Sequence, residues 1–328
     1  METKIIRSPK ISEKFIERHL EEVNWDGITK YQRLSEGFIE KYADRVNWKN
    51  IGKYQKLSME FIERHLDKLD WRVYQGFDEE FFERNKNKID WWSISGNKVM
   101  TEEFIERFKE VVNWYRVSAY QSLSERFIKK YQKKVSWTNI SAYQELSEEF
   151  IEKFKDKVNW ICISVYQKLS EGFIEKYKDK LEWESIIKYQ KLSEGFRKKY
   201  GIKKPRNNWL YASERVKERY INKRGIFEIK EDERGKYIEA YKMVREDGYS
   251  FNTFRYKYEV GKEYESHCDC NIKPGYSFGL SAGTKEEVKW MHPEGKLLKV
   301  KIYIRDIGAV INEVIRSFRI KVIEEIKE

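Results

Sequence analysis

Leu146–Lys168 reads LSEEFIEKFKDKVNWICISVYQK and is one copy of a 23-residue unit. Copies begin at Ile11, Leu34, Leu57, Phe77, Met100, Leu123, Leu146, Leu169 and Leu192, and all but the last reach a tryptophan. A fixed short period marks a stacked repeat array, in which no unit buries its apolar face alone. The second position of the unit is Ser12, Ser35, Ser58, Asp78, Thr101, Ser124, Ser147, Ser170 and Ser193. Each of these side chains accepts a hydrogen bond at a helix start. An acidic residue often follows, as Glu13, Glu36, Glu125 and Glu148 do, where the helix dipole favours it. Leu146, Phe150, Ile151, Phe154 and Val158 then fall on one helical face.

A second cap recurs at Asn24, Asn47, Asp70, Asp90, Asn113, Ser136, Asn159 and Glu182. After it Trp160, Ile163 and Tyr166 form another stripe. The unit therefore reads as two helices of about eight residues, each ~12 Å long. Helices shorter than about 12 residues are marginal in water, so stability must come from stacking copy on copy. The tryptophans Trp25, Trp48, Trp71, Trp91, Trp114, Trp137, Trp160 and Trp183 read as a core ladder, with a base-stacking platform as the alternative. Burying one removes ~150–250 Å² from water, at most about 4–6 kcal/mol per repeat. From Leu57 to Phe77 is only 20 residues, and Trp71 and Tyr74 are three apart where other copies have six. About one helical turn is missing there, which predicts a local bend or offset.

The eighth position is basic throughout: Arg18, Lys41, Arg64, Arg84, Arg107, Lys130, Lys153, Lys176 and Lys199. As a functional feature this ladder suits an acidic partner or phosphates. As a structural one it is a solvated face, each cation near its helix C-terminus and a neighbouring Glu. The net charge of +11 is unevenly spread. Residues 1–200 carry 39 Lys and Arg against 34 Asp and Glu, and residues 231–328 carry 18 of each sign. Residues 201–230 hold nine basic and three acidic residues. The cluster 197–206, with Lys199, Lys203, Lys204 and Arg206, is the strongest nucleic-acid or anionic-surface candidate; its alternative is a solubilising cap on the array.

The expected architecture is an α-solenoid of short two-helix repeats followed by a small α+β domain. Its parts are a solenoid over 1–200, a basic cap or linker with a helix near Ala212–Lys223 over 201–235, and the α+β domain over 236–328. In that domain Tyr241–Arg245, Tyr256–Val260, Tyr264–Cys270, Ser277–Ser281, Leu297–Ile304 and Arg316–Ile323 read as strands. Thr284 caps a short helix, Lys285–Trp290. No apolar run approaches the ~18 residues needed to span a bilayer, and METKIIRSPK has no apolar signal core. Three cysteines, Cys162, Cys268 and Cys270, make no disulfide framework, and a cytoplasmic location is expected.

His267, Cys268 and Cys270, with His292 downstream, are candidate metal ligands, but the second ligand pair of a zinc site is missing. Structural thiols are the favoured reading. Phosphate-loop, dinucleotide and hydrolase motifs are absent from the sequence, so no cofactor is expected from it.

The repeat, with its LSExFIEKxxDKVNWxxIxxYQK pattern, resembles tandem repeats of proteins from giant viruses and large phages. That resemblance implies a helical repeat protein of a viral proteome, acting in an infected host cell. Phe254–Glu265, FRYKYEVGKEYE, resembles a small domain of unknown function found in phage proteins. Ser277–Ala282, the helix after it and Lys296–Val300 are similar to a strand–helix–strand segment of ADP-ribosyltransferases. That similarity implies NAD as a substrate, Arg245 on the first strand, Tyr276 or Ser281 near nicotinamide, and Glu313 at the position of the catalytic glutamate. The primary expectation is a scaffold that binds a host or viral protein through the solenoid surface, with no membrane association. NAD chemistry and nucleic-acid binding are the alternatives.

Overall fold

The computed structural model describes residues 11–69, 78–203, 208–251, 254–270 and 278–327. The shortened part of the third unit, Trp71 and Tyr74 included, lies outside the described residues. The chain divides into two compact units, Met1–Arg116 and Val117–Glu328.

Both units contain the repeat, and its two-helix reading holds. The caps act as their chemistry dictates: the Ser147 hydroxyl accepts from Phe150 N–H, and the Asn159 side chain accepts from Cys162 N–H. The helices are shorter than eight residues. The first is typically six, as in Glu148–Lys153, and the second is seven, as in Trp160–Tyr166. At the end of the first helix, Phe154 leaves helical geometry with φ −111° and ψ 26°. A turn then carries the chain to the second cap.

The deepest core residues are the isoleucines Ile39, Ile51, Ile62, Ile94, Ile105, Ile128, Ile151 and Ile163, all nearly inaccessible. The tryptophans form a core ladder but are mostly half-buried. Trp160 stacks at 6.4 Å on Phe173 and lies 5.1 Å from Tyr177 of the next copy. Its indole N–H donates to Lys155 O at 2.9 Å. The upper estimate for tryptophan burial is therefore not reached.

Polar ladders join successive copies. The Gln167 amide donates to Ser141 O at 2.9 Å and to Gln144 O at 2.8 Å, while its oxygen accepts from Leu146 N–H at 3.2 Å. Gln55 repeats this in the first unit, with Thr29 O, Gln32 O and Leu34 N–H. The Glu148 carboxylate reaches the next copy's cap, accepting from Ser170 N–H at 2.5 Å and Ser170 hydroxyl at 2.9 Å. Ser141 donates to Trp137 O and accepts from Asn159 N–H.

Beyond the repeats, a helix at Glu214–Arg224 ends on left-handed Gly225 and leads into an antiparallel sheet. The strands are β1 (Ile229–Asp232), β2 (Gly235–Val244), β3 (Glu263–Glu265), β4 (Leu280–Gly283), β5 (Lys296–Tyr303), β6 (Ile307–Ile311), β7 (Val314–Ser317) and β8 (Arg319–Ile326). They run in the order β3-β8-β5-β2-β4-β7-β6, with β1 also on β2. The core combines Ile238, Val300, Ile302, Ile315 and Val322 with Trp209, Leu210, Ile221 and Phe227. The segment read as cap and linker thus supplies part of this core.

Several strand expectations change. Tyr256–Val260 is not a strand: Tyr256 and Tyr258 pack around Tyr264, whose hydroxyl donates to Lys257 O. Tyr264–Cys270 is strand only through Glu265. Arg316–Ile323 is divided at Phe318 between β7 and β8. Strands β1 and β6 were not expected. Helix Lys285–Met291 has the expected Thr284 cap.

Removing Gln167 would strand two buried carbonyls and one N–H. We expect Gln167→Ala to cost about 2–4 kcal/mol and to speed hydrogen exchange at Leu146 N–H, whereas the exposed Lys176→Ala should change little. Denaturant melts with equal, small effects for both would remove the glutamine as the main polar tie between copies.

Candidate functional site

The basic ladder is largely engaged within the protein. Lys41 bonds Glu17 at 2.7 Å, Arg64 bonds Glu40 at 2.5 Å, and Arg84 bonds Glu63 at 3.2 Å. Arg107 bonds Glu79 at 2.7 Å, Lys176 bonds Glu152 at 2.5 Å, and Lys199 bonds Glu175. The lysine bonds hold Glu17, Glu152 and Glu175 below the usual carboxylate range. Lys130 lies 5.5 Å over the Tyr131 ring, and Arg18 closes the last turn of its helix. Opposite Lys153 stands Lys129 in place of a carboxylate, and this like charge holds the Lys153 ammonium below the ordinary lysine value. Lys203 is described; Lys204 and Arg206 lie outside the described residues.

A different face makes contacts with another part of the fold. The tyrosine ending the second helix recurs at Tyr31, Tyr54, Tyr120, Tyr143, Tyr166 and Tyr189. In the second unit, Tyr166 and Tyr189 hold Phe278 of the sheet domain at 5.1 and 5.4 Å. Nearby, Phe254 N–H donates to Tyr120 O at 3.2 Å, and Arg255 pairs with Glu145. In the first unit, Tyr31 and Tyr54 are 59% and 37% exposed. Lys30 lies 5.0 Å from the Tyr31 ring and 5.5 Å from the Tyr54 ring. Recurrence at one position was the available signal for this face; sequence reading placed these tyrosines only on a core stripe.

Within the second unit a cleft of about 1170 Å³ separates the repeat loops from the sheet domain. One wall is Gln144–Glu145, Gln167–Lys168 and Gln190–Lys191, the same loop of three successive copies. The other includes Lys217, Tyr256, Glu265, His267, Arg305, Asp306 and Arg319. Lys217 is buried; its ammonium donates to Ile307 O at 2.5 Å and Arg305 O at 3.2 Å, and burial lowers its pKa. Burial raises the Asp306 carboxyl, whose Oδ2 is enclosed without a partner among the described residues. His267 Nε2 is in the same position, and burial pushes the imidazole down to about 4. The arrangement offers hydrogen-bonding groups to a polar guest.

The four candidate metal ligands are not brought together, and among the described residues no three His, Cys, Asp or Glu side chains form a metal-binding group. His267 stacks on Phe278 at 5.4 Å, and His292 stacks on Phe251 at 4.2 Å. Cys268 and Cys270 are fully buried. They press on Gly308 of β6, where an added Cβ would lie 2.4 Å from Cys268 Sγ. The Cys270 contact and burial push the Cys268 thiol well up, so it is held as a neutral packing group. Asp269 between them is pinned by a buried ion pair to Arg316 at 2.9 Å.

Arg245 lies just after β2, pairs with Asp247 at 3.2 Å and covers the Phe254 ring at 4.6 Å. Ser281 is on β4, and Glu313 accepts from the Thr284 hydroxyl at 2.5 Å. Tyr276 lies outside the described residues. Among the described residues, no helix is long and apolar enough to cross a membrane. Comparison with protein-family models, curated proteins and solved structures finds no match.

His267 makes stability depend on pH. Above about 6.5 both folded and unfolded chains hold it neutral. As pH falls from 6.5 towards 4, the unfolded chain takes a proton that the folded one refuses, so up to about 3 kcal/mol of stability is lost. We expect His267→Phe to flatten that part of the stability curve. An unchanged slope from pH 6.5 to 4 would show that other groups set it.

Proposed function

We propose that the chain is a protein-binding scaffold that engages its partner with the tyrosine face of its repeats. The observation that supports this reading is the use of the same repeat positions in cis, where Tyr166 and Tyr189 hold Phe278. Tyrosine suits a repeated contact because it offers a broad apolar ring and a polar tip at small cost in rotamer entropy. Tyr31 and Tyr54 present that surface to solvent in the first unit. Lys30 and Lys53 lie over these rings, so the complementary partner segment carries an aromatic side chain beside acidic residues.

The basic ladder supports the scaffold reading less, because its charges tie copy to copy. Nucleic-acid binding through 197–206 is weakened by the Lys199–Glu175 pair and by the contact of Arg197 with the Tyr211 ring. For the transferase alternative, Ser281 lines a small cavity whose described lining does not include Arg245.

The test uses the full chain as bait in nuclease-treated host extract, beside a Tyr31→Ala, Tyr54→Ala variant with matching circular dichroism. We expect a discrete protein to be retained by the parent and reduced about tenfold or more by the double change, as loss of two aromatic contacts implies. Equal retention by both baits would exclude this face. Retention abolished by nuclease would replace a protein partner with nucleic acid.

A further inference from the structure

On β2, Ile238, Ala240, Lys242 and Val244 share one side of the strand, and all four are buried. A lysine in that row is unusual, because burying an ammonium is costly unless its charge is paired. Lys242 has no carboxylate partner among the described residues. Its ammonium donates to Ser281 O at 3.0 Å and lies 4.8 Å from the Tyr258 ring. Only one of its three N–H bonds therefore has an acceptor among the described residues, which favours the neutral amine.

The residue also lines a cavity of about 50 Å³, with Ser281, Phe251, Val288, Met291 and His292. A cavity needs roughly 10–15 Å³ to hold one water, so this one admits a guest of about three or four heavy atoms. His292 is fixed by parallel stacking on Phe251 at 4.2 Å. Burial, and Lys242 when it is protonated, lower its pKa.

We propose that Lys242 is an amine nucleophile for a small aldehyde or ketone, which it holds as an imine. Nζ adds to the carbonyl carbon, forming the C–N bond while the π pair moves to oxygen. The proton leaving nitrogen passes to that oxygen, and the relay is assigned to the His292 imidazole because it lines the same cavity. The nitrogen lone pair of the resulting carbinolamine then forms the C=N bond as the C–O bond breaks, and the remaining N–H proton leaves with the hydroxyl as water, giving the neutral imine. No oxidant or reductant enters the step. Burial also brings the Lys242 ammonium down to about 8, so an appreciable amine fraction exists near neutral pH.

The test treats the folded full chain with acetaldehyde and cyanoborohydride, which reduces an imine to a stable N-ethyl-lysine, and maps the products by peptide mass spectrometry. At pH 7.5 we expect Lys242 to be labelled about tenfold faster than the exposed Lys168, with a rate that levels off near pH 8. Urea should abolish the preference, and Lys242→Arg should remove the fast phase from the intact-mass time course. Labelling of Lys242 no faster than Lys168, or a preference that survives unfolding, would overturn the proposal.

Discussion

The side-chain amide of the glutamine that closes the second helix in most copies is the constraint on which the array depends. Where one copy meets the next, two backbone carbonyls and one N–H are left without helical partners. A glutamine satisfies all three because it is donor and acceptor at once. Glutamate would bring two acceptors to carbonyl oxygens, and lysine has no acceptor for the N–H. The copy that has Lys98 at this position illustrates the difference. Its ammonium lies 5.2 Å from the Phe82 ring, and burial lowers its pKa. The isoleucine rows supply apolar cohesion, while the amides fix the register at which those rows meet.

Much of the repeat was legible because caps and apolar stripes are local. Ser147 and Asn159 declare helix starts by their chemistry, and Ile151 and Ile163 follow helical spacing. The glutamines were not legible as interior residues, since a long polar side chain reads as surface until its carbonyl partners are known. The basic ladder was visible as a pattern, but its use depended on which carboxylate lies opposite each cation. In the sheet domain, Leu297–Ile304 alternated clearly and became β5. Tyr256 and Tyr258 have strand-like composition yet serve as ring contacts around Tyr264. Asn312, at φ 52°, turns β6 directly into β7, a connection too short to mark the preceding segment as a strand.

The candidate sites were less legible than the fold. The cleft wall comes from loops separated by whole repeats, while its other side draws on residues from 210 to 319. The sequence gives no sign that Asp306 and Lys191 share a cavity. Lys242 is a nearer case: the row Ile238, Ala240, Lys242, Val244 contains its own anomaly, but the anomaly is visible only when the strand is known to extend back to Gly235. At His267, Cys268 and Cys270, structural thiols were the favoured reading and metal ligation the alternative. Adjacent ligand types suggested metal, whereas packing sends the thiols against β6 and the imidazole towards the cleft.

The polar ties have an evolutionary consequence. Each glutamine addresses main-chain atoms, which every copy possesses whatever its side chains, and each Glu148-type carboxylate addresses a cap that recurs with the unit. An in-frame duplication of 23 codons would therefore deliver a copy already equipped to be received on both sides. The same joints that hold the array together make its length a quantity that recombination can adjust, without requiring compensating changes elsewhere in the gene.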